Sequence, residues 1–309
     1  MRTVSLLALL LALVAPTAAG FADPPPDGPF ALTNARLQTV TGGVIEDATL
    51  VIEDGRIAAM GPDVAPPDDA RVIDCAGLTV YPGLIDSGTR LGLAEVGSMA
   101  ETRDFNEIGQ IAPHMKALTA VNPSSVHIPV TRVAGVTTAL AAPSGGLFPG
   151  TAALINLHGY TPEQMQVADV EAVMVEFPRG GKRSPWGDRP NKKIRKQKRK
   201  KMEKLNETWE QAQLYARIDS AYRADPEGRR EPQYKPAMQA LVPVVRGKRP
   251  LIIKTNAAPD IRAALDWAEE RDLTENIILS GAREGWRVAD RLAELDVPCL
   301  VGPVLSTPT

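Results

Sequence analysis

The stretch Thr79-Val-Tyr-Pro-Gly-Leu-Ile-Asp86-Ser-Gly88-Thr-Arg90-Leu-Gly92 decides how the chain is read. From Leu84 onward, short apolar runs alternate with helical patterns, which is the signature of parallel strands joined by helices. Strands are expected at 84–86, 135–141, 152–157, 172–177, 251–255, 276–280 and 298–301. Apolar residues recur at helical spacing over 260–270 and 284–295. The chain after Pro82 therefore reads as α/β. Upstream, Ala31-Leu-Thr-Asn-Ala-Arg-Leu37 opens a strand, and Asp54-Gly55 sits between two alternating apolar segments. Asp-Gly in that setting is a strong short-range hairpin signal.

Together, the strand at Ala31, the hairpin at Asp54-Gly55 and the phrase Pro82-Gly-Leu-Ile-Asp86 resemble the amidohydrolase superfamily, most closely its exported, imidazolonepropionase-like branch, over residues 29–309. The resemblance implies a (β/α)₈ TIM-type barrel from residue 83, with residues 23–82 forming the N-terminal part of a small β-sandwich beside it. It also implies hydrolysis of carbon–nitrogen bonds other than peptide bonds, in which a metal-bound hydroxide attacks a small cyclic amide or related carbonyl. In relatives the phrase is followed by His-x-His, which binds Zn²⁺ or a similar ion.

Here those two positions hold Gly88 and Arg90. Glycine has no donor atom, and a permanently protonated guanidinium repels a dication. Where relatives carry histidines after the fifth and sixth barrel strands, this chain offers Lys254 with Asn256, and Ser280. Its three histidines, His114, His127 and His158, share no ligand spacing. No cofactor is therefore expected, and Arg90, Lys254 and Asn256 become candidates for binding a small anionic ligand. The alternative is that both cations pair with local acids such as Asp86 or Glu95. Two functional classes stay open: a hydrolase with unconventional ligands, and a non-catalytic exported anion-binding protein derived from one. Asp104 and Glu107, three residues apart, are a weaker acid/base candidate that reads in the first place as a solvated loop or helix face.

A complete (β/α)₈ barrel takes ~250 residues, more than residues 83–309 provide once a basic helical insertion at about 180–225 is set aside. The barrel is expected to be incomplete, either because the sequence is a fragment or because another chain completes it. Residues 1–22, with Arg2 before the apolar run Leu6–Ala15 and small residues at Thr17-Ala-Ala19, read as a signal peptide. This implies an exported protein, periplasmic or extracellular. Cys75 and Cys299 are too few and too far apart for a disulfide framework and read as free thiols. With 44% hydrophobic residues and a net charge of −2, the composition is that of a globular protein and gives no reason to expect nucleic acid. One departure is the block Lys192–Lys204, which fits a solvated helix face or contact with an anionic surface. Finally, Ala142-Pro-Ser-Gly145-Gly146-Leu-Phe-Pro-Gly150 lacks phosphate-loop spacing and reads as a turn bounding the mouth of the barrel.

Overall fold

A computed structural model describes residues 28–180 and 191–302; the leader expected at 1–22 and the start of the basic insertion lie outside these residues. The chain divides into two compact units, Met1–Pro82 and Gly83–Thr309. In the first, β1 (Phe30–Gln38), β2 (Val44–Glu53), β3 (Arg56–Gly61) and β4 (Arg71–Asp74) form a sheet in the order β3-β2-β1-β4, with β5 (Thr79–Val80) also pairing with β1. The hairpin forms at Asp54-Gly55, whose φ angles of 50° and 69° let Glu53 face Arg56 across the ladder. Two consecutive positive φ values are what the two-residue type I′ turn requires. Ala35, Leu37, Ala48, Leu50 and Cys75 close the core of this unit.

All seven apolar runs of the second unit are strands: β6 (Leu84–Thr89), β7 (Val136–Ala141), β8 (Gly150–Asn156), β9 (Gln166–Glu176), β10 (Leu251–Thr255), β11 (Ile277–Gly281) and β12 (Cys299–Val301). They form one nearly closed, barrel-like sheet in the order β12-β11-β10-β9-β8-β7-β6. Its helices are α1 (Ala117–Ala120), α2 (His127–Val133), α3 (Pro162–Met165), α4 (Asn191–Ala224), α5 (Pro236–Val245), α6 (Ala258–Glu269) and α7 (Ala289–Glu294). The expectation of parallel strands throughout needs correction, because β8 runs antiparallel to both β7 and β9. The connections explain it. Residues 142–149 contain no helix, and residues 157–165 contain only the four-residue α3. A parallel crossover takes a dozen or more residues, whereas an antiparallel return needs few.

Side chains alternate along a strand, so the sheet has two distinct faces. Leu140, Ala152, Ala172, Met174 and Ile252, with Leu154, Ile278 and Leu300 against them, fill the inner face. Val173, Val175, Leu251, Ile253 and Leu279 point outward into the layer of helices. There α4 contributes Leu205, Trp209, Ala212 and Ala216, and Trp209 stands edge-on to Trp267 of α6 with ring centroids 5.5 Å apart. The basic segment expected as an insertion thus continues into a helix that is part of the main core. Most of its apolar anchors lie after residue 204, beyond the charge run, within which Ile194 is buried and Met202 packs against the core. Three buried carboxylates tie this layer together: Glu171 to Lys116 and Arg249, Asp219 to Arg223 and Arg246, and Asp260 to Lys198. Each buried charge has a partner, as its desolvation demands. Both cysteines are free thiols, and partial burial raises the pKa of Cys299.

If α4 is integral to the core, Trp209→Ala costs about 3–5 kcal/mol, the range for losing a fully buried tryptophan. Urea unfolding of the purified variant measures this; a loss below 1 kcal/mol would show that the helix is peripheral.

Candidate functional site

The inner-face parity that buries Ala172, Met174 and Ile252 carries Glu176 and Lys254 to the C-terminal ends of β9 and β10, with Ser280 at the corresponding place on β11. Register confirms the alignment: Lys254 lies opposite Glu176 on one side and Ser280 on the other. Glu176 was not singled out in the sequence, although its place two residues after Met174 on an inner-facing strand is a legible signal. Its carboxylate accepts a hydrogen bond from the Gly145 amide at 3.1 Å, faces Lys254 Nζ at 3.9 Å and lies 3.7 Å from Arg179.

The glycine loop links this cluster to the end of β6. Ser144, 6% exposed, accepts a hydrogen bond at 3.0 Å from Arg90, whose guanidinium also lies 3.8 Å above the Phe105 ring. A continuous polar path therefore runs from Arg90 through Ser144 and Gly145 to Glu176 and Lys254. The alternative that both cations pair with local acids holds for Lys254, whose acid is Glu176, but not for Arg90, and neither named acid is the partner: Asp86 accepts the Gly88 amide, and Glu95 accepts from Asn122 and Ser125. Beside Arg90, a hollow of about 260 Å³ is lined by Thr89, Arg90, Leu91, Ala94 and His127. A larger groove of about 650 Å³ lies between α4 and α5 and is lined by two cations, Arg246, which is committed to Asp219 and Ser220, and the exposed Arg217, which lies away from the strand ends on α4.

The linked set holds three cations, Arg90, Lys254 and Arg179, against one carboxylate, Glu176. Such a set favours an anion, since guanidinium and ammonium donate charged hydrogen bonds to carboxylate or phosphate. Donor chemistry does not suit zinc. Gly88, Arg90, Lys254 and Ser280 supply neither imidazole nor carboxylate, and Glu176 is a single donor already facing two cations. Among the described residues no three His, Cys, Asp or Glu side chains converge on a possible metal position. His114, His127 and His158 are all exposed, with His127 Nε2 bonded to the Glu95 carbonyl. Asp104 and Glu107 are exposed in a non-helical segment. Asn256 lies just past β10, where its carbonyl accepts from the Glu284 amide and its side chain crowds Gly281.

No family model matches the chain. It is 49% identical over 65 residues to the imidazolonepropionase of Vibrio cholerae serotype O1, covering 19% of this chain and 16% of that protein. It is 36% identical over 88 residues to the enamidase of Eubacterium barkeri, covering 28% and 22%. The chain thus spans less than a quarter of the length of either relative over the matched residues. A solved amidohydrolase from Thermotoga maritima superposes with a TM-score of 0.78 at 24% identity, over 91% of this chain and 71% of that one. The structural likeness shows the fold, and the named relatives support the amidohydrolase superfamily.

The two glycines of the site differ in what they require. Gly145 has φ of 104° and a methyl group there would collide with Asn106 Oδ1, whereas Gly88 is outside the left-handed region with no neighbour within 4 Å of an added Cβ. Gly145→Ala is expected to destabilise by about 1–2 kcal/mol or more, from conformational strain alone. Gly88→Ala should change stability by less than ~0.5 kcal/mol. Parallel denaturant curves check both; equal effects would contradict the loop geometry.

Proposed function

We propose that this chain is a member of the amidohydrolase superfamily whose (β/α)₈-type barrel, preceded in the sequence by the N-terminal part of a small β-sandwich, holds a small carboxylate- or phosphate-bearing ligand at the strand ends and does not use a metal hydroxide. What supports the reading is the charge set there: Arg90, Lys254 and Arg179 around the one carboxylate of Glu176. Arg90 is oriented by Phe105 and Ser144, which leaves part of its guanidinium fork for a ligand. Lys254 sits 3.9 Å from Glu176, a distance at which an incoming anion competes for the ammonium. Ser280, level with Lys254, supplies a hydroxyl that donates or accepts. The relatives' names favour a second reading, hydrolysis of a carbon–nitrogen bond in a small cyclic amide. Its leader-like first residues support a location outside the cytoplasm.

Calorimetric titration with small carboxylates and inorganic phosphate tests the binding reading. Arg90→Ala and Lys254→Ala each weaken affinity by about 1.5–3 kcal/mol, the range for hydrogen bonds to charged groups. Glu176→Gln strengthens it, because the competing carboxylate is gone. Unchanged affinity in both alanine variants would remove this reading, and chelator-sensitive hydrolysis of a cyclic amide would select the second.

A further inference from the structure

The first turns of α4 carry Lys192, Lys193, Arg195, Lys196, Arg199 and Lys200, all exposed. At 3.6 residues per turn these six occupy a continuous arc of about 160°, over roughly 12 Å of helix axis. Among the described residues one of them is paired: Arg199 lies 3.5 Å from Glu203. The opposite side of the same turns is fixed to the fold, with Ile194 buried and Lys198 Nζ 2.6 Å from Asp260 Oδ1. The charges are therefore displayed by a rigid platform and not by a mobile tail. We infer that this face of α4 is an electrostatic docking surface for an anionic phospholipid bilayer, independent of the site at the strand ends.

Shape and composition favour a bilayer over nucleic acid. Burial at Ile194, Leu205, Trp209, Ala212 and Ala216 sinks one side of α4 into the protein, leaving a low convex ridge. A duplex major groove about 8.5 Å deep admits a whole helix, not half of one. A planar charged surface needs only the ridge. Single-stranded nucleic acid is gripped by stacking on aromatic side chains, and the helix's Trp209 and Tyr215 are buried in the core. The arc carries no large apolar residue, so binding involves no insertion and rests on charge alone. Adsorption of this kind disappears at 1 M salt, where screening shortens to about 3 Å.

Co-sedimentation of the full chain with mixed phosphatidylglycerol and phosphatidylcholine vesicles, against phosphatidylcholine vesicles alone, tests the inference at low salt. Binding to the anionic vesicles only is expected. The triple variant Lys192→Gln, Lys196→Gln, Lys200→Gln leaves Lys198–Asp260 intact and should lower the partition coefficient about a hundredfold, from roughly fivefold per charge. A control variant, Arg56→Gln, Lys235→Gln, Lys248→Gln, removes the same charge elsewhere and should bind nearly as the parent does. Circular dichroism confirms that both remain folded. Equal losses in the two variants, no binding to anionic vesicles, or a preference for competing duplex DNA would each overturn the proposal.

Discussion

The geometry of the candidate site depends on one carboxylate. Glu176 stands at the end of β9, accepts the amide of Gly145, and is flanked by Lys254 and Arg179. The amide bond holds the loop between β7 and β8 against the end of β9, and that loop carries Ser144, which in turn orients Arg90. Both ion pairs are long and partly solvated, so their direct contribution to stability is small, about 0–1 kcal/mol each. Their importance is electrostatic and positional: they compensate the one acid and leave a surplus of positive charge.

Around that site the fold solves a repeated problem of buried charge. Glu171, Asp219 and Asp260 are each less than 10% exposed, and each is met by one or two cations reaching in from neighbouring elements. Removing one partner strands a charge in a poorly hydrated place, which costs several kcal/mol, far more than the intact pair contributes. Asp260 links α6 to the basic turns of α4, so the helix that displays the surface charges is fixed by one of its own lysines. The apolar contacts of Trp209 and Trp267 fix the same helix two to three turns further on.

Much of this was legible in the residues, and the failures have physical reasons. Seven apolar runs gave seven strands because runs of that length and composition can bury both faces. Asp54-Gly55 gave its hairpin because few residue pairs tolerate two positive φ values. Strand direction was not legible: the antiparallel placement of β8 is set by connection length, which apolar periodicity does not report. The structural role of α4 was hidden by composition, since Lys192–Lys204 dominates the pattern with only Ile194 and Met202 as apolar anchors within it, while most of the anchoring residues follow from Leu205. Arg90 and Lys254 were found through motif positions, but their partners Phe105, Ser144 and Glu176 lie far away in sequence, and only the folded sheet brings them together.

We propose that the strand-end site, with Glu176 compensated by cations, takes an anion and not a dication. Elemental analysis of the purified protein after incubation with zinc and gel filtration tests it most directly. Well below one zinc per chain is the expected result, unchanged by Glu176→Gln. One or two zinc ions retained per chain and released by that substitution would contradict the account.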